Sequence, residues 1–218
     1  MARTFEKFPI FIATTLLLFA CAAPDTHTEH AVIDEPVTSV TVNVRSGDIH
    51  LRGADVGTVS ATARIEGDAN HLGHALTGGK LSLVDDCHEN HCSVDIDVTL
   101  PAGVEVEIEA GSGDLALEGL LGSVQVHTSS GDIVGHDLSG AALSAETGSG
   151  DVALEIGEPA ENIRVEAGSG DIALGVPAGS YRLRAATSSG DRRVERVVDD
   201  PDASASIDAT TSSGDVVI

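Results

Sequence analysis

Aromatic side chains are nearly missing: they make up 2% of the 218 residues, with no Trp, one Tyr and four Phe. Phe5, Phe8, Phe11, Phe19 and the single Met all lie in the first twenty residues, so the rest of the chain has one aromatic, Tyr181. Any core must therefore be built from Val, Ile, Leu and Ala, and there are no platforms on which bases or sugar rings could stack. Basic residues are scarce too: 12 Lys and Arg stand against 35 Asp and Glu, a formal charge of −23. A surface of that sign repels phosphate backbones, which excludes nucleic acid as a partner. Beyond the N-terminus there is no long apolar run, and the stretch Ile10–Ala20 is too short to cross a bilayer.

That stretch, preceded by Arg3 and Lys7, reads as an export signal over residues 1–20. It ends in Leu18-Phe19-Ala20-Cys21, which is similar to a bacterial lipobox, so Cys21 is expected to become the lipidated N-terminus and the membrane link. The alternative is an ordinary secretory signal cut near Ala20 or Ala23. Ala22, in place of the aspartate that signals inner-membrane retention, points to the outer membrane. Removing two basic residues and Glu6 with the signal moves the charge from −23 to −24. Residues 21–36 show no sustained period and contain two prolines, and they read as a tether.

What the chain has in abundance is Ser-Gly-Asp. Seven copies end at Asp48, Asp114, Asp132, Asp151, Asp171, Asp191 and Asp215, with spacings of 18, 19, 20, 20 and 24 from Asp114 onward. Eight residues before each aspartate stand Val40, Val106, Val124, Leu143, Ile163, Leu183 and Ile207; six before, Val42, Ile108, Val126, Ala145, Val165, Ala185 and Ala209. Alternation of this kind marks a strand with one buried face. After the aspartate the inward residues come one and three later, as in Ile172 and Leu174, so Gly and Asp both face outward. A regular strand cannot do that, so the chain must turn a corner there, with Gly supplying the backbone freedom.

A strand, a corner, a second strand and a return make a coil of about 20 residues, the repeat of a solenoid whose coils pair in parallel about 4.8 Å apart. The expected fold is all-β: a parallel, single-stack β-solenoid over residues 37–218, with 37–103 as a more sheet-like N-terminal cap. Stacked aspartates cannot be buried, so they form an outside ladder. It is stabilised by water, by turn amides or by weakly bound divalent cations, with the serines as a hydroxyl file beside it. Arg192, Arg193 and Arg196 break the pattern of their coil and are expected to pair with Asp199, Asp200 or the ladder. The chain ends at residues 215–218 without a cap, a candidate edge for self-association.

The Ser-Gly-Asp copies, the segment GGKLSLVDD and the run VDIDVTLPAGVEVEIEAGSGDLAL together resemble the DUF4097 family over about residues 37 to 218. The resemblance implies a parallel β-solenoid, an envelope setting and an adhesin-type role, and it transfers no catalytic residue.

Between two strand-like runs lies CHENHC. Cys87 and Cys92 are expected to close as a disulfide in an exported chain; the alternative is a zinc or copper site made by Cys87, His88, His91 and Cys92, with His71 and His74 assisting. The corners match a calcium nonapeptide only loosely, and no cofactor is expected. His127 lies near Ser129, but no third group orients it, so a triad is not expected. The sequence thus reads as a lipid-anchored, non-catalytic scaffold with an unidentified envelope or surface partner, or alternatively as a periplasmic metal-binding protein.

Overall fold

The computed structural model describes residues 26–67, 72–85 and 92–218, which contain strands and turns and no helix. Each Ser-Gly-Asp corner joins a longer strand to a shorter one, for example Asn162–Ser169 to Ile172–Gly175. The longer strands pair in one ten-stranded sheet and the shorter ones in a second. The chain therefore builds a flattened solenoid in which each coil contributes one strand to each sheet.

The pairing register repeats the alignment of the sequence copies. Val40 pairs with Val106, Val106 with Val124, Val124 with Leu143, Leu143 with Ile163, and Ile163 with Ile207, all in parallel. These side chains and those two further on point between the sheets, where they meet Ile49, Leu115, Ile133, Val152, Ile172 and Val216 from the other side, all of them buried. Thr128, Thr147 and Thr211 are buried in the third column. Their hydroxyls donate to corner carbonyls, Thr147 to Gly131 O at 3.2 Å and Thr211 to Gly170 O at 3.0 Å, which meets the need of a buried hydroxyl for a partner.

The coils do not stack in chain order. The strands of the Asp215 coil lie between those of the Asp171 coil and those of the Asp191 coil: Ile172 pairs with Val216, and Val216 pairs with Arg192. The composition of the Asp191 coil gives the reason. Directly after the aspartate, where every other copy buries an aliphatic side chain, it carries Arg192, and burying an unpaired guanidinium would be prohibitive. At the end of the stack Arg192 is exposed, and its Nη1 donates to Ala185 O at 3.3 Å. Val216 and Ile218 are the residues that fill the interior. Residues 215–218 are therefore covered on both sides, which corrects their reading as an open edge for self-association. The arginines also choose other partners than expected: Arg193 lies 3.9 Å from Glu195, while Asp199 accepts Leu183 N–H and Asp200 accepts Asp202 N–H.

At the opposite end the parallel order gives way to antiparallel strands. Val59–Gly67 pairs antiparallel with Cys92–Pro101, and Leu72–Thr77 pairs antiparallel with Lys80–Asp85. The segment read as tether contains a strand: Thr26–Ile33 pairs residue for residue with Val59–Gly67. It was hidden because only Ile33 in it is buried. A sheet-edge strand is held mainly by its backbone bonds, and its side chains need little apolar period.

Candidate functional site: an aspartate file and its flank

Every Ser-Gly-Asp glycine has a positive φ, from 127° at Gly113 to 148° at Gly190. A side chain there would be strained, and a Cβ on Gly131 would lie 2.0 Å from Gly113 O. The glycine is thus not simply turned outward as expected; it sits against the next coil's glycine, and both its φ and its close approach exclude other residues.

This backbone twist aims the amide of each aspartate along the stacking axis. Asp114 N–H donates to Asp48 Oδ1 at 2.9 Å, Asp132 to Asp114 at 3.0 Å, Asp151 to Asp132 at 2.8 Å and Asp171 to Asp151 at 2.8 Å. Beyond them Asp215 donates to Asp171 at 2.7 Å and Asp191 to Asp215 at 2.8 Å. All seven expected aspartates thus stand in one exposed file, ordered by space rather than by chain. The expected turn-amide stabilisation is present, but the amide comes from the neighbouring coil. Among the described residues the corner serines bond through their backbone, as in Gly131 N–H to Ser149 O at 2.9 Å, and no file of serine hydroxyls forms.

The file has an eighth member that the motif did not mark. Asp48 N–H donates to Asp95 Oδ1 at 3.0 Å. Val40 pairs with Leu81 and Ile49 with Ile96, so nine positions in one coil match fifteen in the other, and the corner of that coil is six residues longer. The CHENHC segment falls within this span, and residues 86–91 lie outside the described ones. Cys92, half-buried at the start of its strand and opposite Gly67, and the assisting His74, in the strand Leu72–Thr77, are the candidate ligands among the described residues; Cys87, His88 and His91 lie outside them, as does His71. Among the described residues no group of three or more His, Cys, Asp and Glu is arranged to hold a metal ion.

Asp95 also meets Arg64, at 2.5 Å. The hydrogen bond and charge of Asp95, with Glu66 assisting, raise the already high pKa of the Arg64 guanidinium. Beside the file, on the outer face of the sheet of shorter strands, runs a smooth row formed by His50, Ala116, Val134, Ala153, Ala173 and Val217. A charged row borders it, with Arg52 to Glu118 at 3.8 Å and His136 to Glu155 at 3.3 Å. Where the smooth row meets the antiparallel strands, Thr62, Arg64, Asp97 and Asp114 surround a hollow of about 600 Å³ floored by Ala116 and Val134. Its carboxylates are already engaged: Asp97 lies 3.3 Å from His50, and Asp114 holds the amide of Asp132. His127 points outward to Glu146 at 3.5 Å, so it forms no dyad with Ser129. The arrangement can present fixed negative charge along a line.

The Toastrack DUF4097 family model matches residues 26–218. Two solved structures share the fold: a candidate cell adhesion protein from Clostridium sporogenes, 10% identical, covering 89% of this chain and 98% of its own with a TM-score of 0.52, and a candidate adhesin from Bacteroides fragilis, 14% identical, covering 88% and 96% with a TM-score of 0.51. No functionally curated protein matches. With its model spanning all the described strands, the chain belongs to the Toastrack DUF4097 family.

Proposed function

We propose that the protein is a non-catalytic, adhesin-type scaffold of the cell envelope, exported, anchored through a lipid on Cys21, and working without a cofactor. The observation that carries this reading is the aspartate file: one oxygen of every carboxylate in it except that of the terminal Asp191 is spent holding the next coil, which leaves the other in a solvent-facing array. Such an array is suited to contact with an extended partner surface, and the charge of −23 directs it away from nucleic acid. A Cys87–Cys92 disulfide belongs to the same reading, as a clamp on the enlarged corner.

The test is capture from envelope fractions by the wild type and by a variant carrying Asp114→Asn, Asp132→Asn and Asp151→Asn together. Loss of capture by a variant that melts normally supports the proposal; equal capture by both proteins sinks it. Cys21→Ala should release the protein from the membrane fraction. Thiol titration of freshly exported protein should find Cys87 and Cys92 blocked, whereas free thiols with stoichiometric zinc would reverse that part of the reading.

A further inference from the structure

The two ends of the stack are finished differently. At the Asp191 end the outward backbone groups of the strand Gly179–Ser189 are taken up: Asp200 N–H donates to Tyr181 O at 2.9 Å, Leu183 N–H to Asp199 Oδ1 at 3.2 Å, and Arg192 to Ala185 O. The last strands of the two sheets at this end are short, Val197–Asp199 and Arg192–Arg193. Short strands and side-chain plugs are how sheet edges are protected from adding another strand.

At the opposite end the described edge strand of the sheet of shorter strands is longer. Thr26–Ile33 is eight residues long, contains no Pro, Lys or Arg, and is the last strand of its sheet among the described residues. Val32 in it is 65% exposed, more than any other large apolar side chain described. Next to it a hollow of about 570 Å³ opens between the two sheets, lined by Ala31, Ala61, Ala63, Leu72 and Leu83 together with polar groups of Glu29, His30 and His74.

We infer that this edge pairs with the same strand of a second copy, antiparallel about a two-fold axis near His30. A self-complementary patch is what a two-fold dimer requires. Inward and outward residues alternate along the strand, with Ala31 and Ile33 inward and His30 and Val32 outward. An antiparallel pairing that keeps inner faces together sets Val32 against the partner's Thr28 and Ala31 against the partner's Glu29, so no two carboxylates face each other. Charge argues for the same place. On a chain of −23, this strand and its neighbour Val59–Gly67 carry only Glu29 and Glu66 against Arg64, and Glu29 is held by Leu72 N–H at 3.0 Å. Two acidic molecules can approach here with little repulsion. The partner strand would also cover the mouth of the hollow.

Sedimentation velocity of the exported protein over a concentration series tests this. The expected result is a monomer–dimer equilibrium that Val32→Lys weakens by at least about tenfold, since a charge replaces the apolar side chain at each of the two Val32–Thr28 contacts. Val198→Lys, at an equally exposed apolar residue of the other end, should leave it unchanged. Amide exchange within residues 26–33 should slow as concentration rises. A protein that stays monomeric up to about millimolar concentration, or a dimer indifferent to Val32→Lys or broken instead by Val198→Lys, overturns the inference. Because Val32 is exposed in the single chain, an unchanged melting midpoint at low concentration separates lost pairing from lost folding.

Discussion

Replacing Asp151 by Asn separates the two things that an aspartate does in the file. Asp151 Oδ1 accepts the amide of Asp171 at 2.8 Å, and Asn can offer a carbonyl oxygen in the same place. A bond to a charged acceptor is worth about 1 kcal/mol more than one to a neutral acceptor, which favours Asp. Against this, each neighbouring carboxylate about 4.8 Å away repels it by roughly 0.9 kcal/mol in water before screening. With a Debye length of about 30 Å at 0.01 M salt, the two neighbours together cost about 1.5 kcal/mol; at 1 M, where that length is about 3 Å, they cost about 0.4 kcal/mol. The sign should therefore reverse: Asn more stable by about 0.5 kcal/mol at low salt, Asp more stable by about 0.6 kcal/mol at high salt. Thermal melts of the two proteins over a salt series, without divalent ions, read this as a crossing of midpoints within a few degrees. A difference that ignores salt would refute the argument. So would a loss of more than about 3 kcal/mol in Asn, since a screened, exposed file cannot account for a term that large.

Gly150→Ala should be far more harmful than any change at the aspartates. Its φ of 143° excludes an L side chain, and the new Cβ would lie 2.1 Å from Gly131 O, so the coils must separate and lose bonds; about 4 kcal/mol is expected in denaturant melts, and a loss below about 1 kcal/mol would contradict the geometry. Arg192→Ile frees the Ala185 carbonyl and places an apolar side chain at the protected end, so light scattering should show earlier aggregation; unchanged scattering would mean that the arginine does not guard the edge. Tyr181 is 3% exposed and donates to Pro177 O at 2.8 Å, and burial raises its pKa above the usual 10.0. The neutral form is thus favoured in the folded chain, so its contribution is whole below about pH 10 and is lost as pH rises through the higher folded value. Tyrosinate absorbance, which reports this single tyrosine of the sequence, should rise late and together with unfolding; a free-tyrosine titration curve in the folded protein would exclude the burial.

The core was readable because the solenoid converts sequence alignment directly into spatial register: the aliphatic residues eight before each aspartate are the ones that pair across coils. The corner was readable because two successive outward positions cannot occur in a strand. The position of Asp95 was not, since its coil has Val94 in place of the glycine after Ser93 and has gained six residues, and the Ile96-Asp97-Val98 alternation after it is the part that keeps the pattern. The exchange of the last two coils is written in the sequence, as Arg192 at an interior position, but reads as a surface charge cluster as long as neighbours in chain are assumed to be neighbours in space. Thr26–Ile33 gave no apolar signal, being held by backbone bonds at a sheet edge.

The exchanged order has a consequence for how the molecule comes into being. From Asp114 a growing chain can lay down one turn upon another as far as Asp171, and then must wait, because the next turn to appear is not the one that belongs there. Residues Ser206–Ile218, made after the Asp191 turn, must slip beneath material already in place. Their synthesis, rather than that of any earlier turn, thus sets the moment at which this part of the stack can be completed, and a chain ended before Ser206 would be left with an inner layer missing and its outermost turn unplaced.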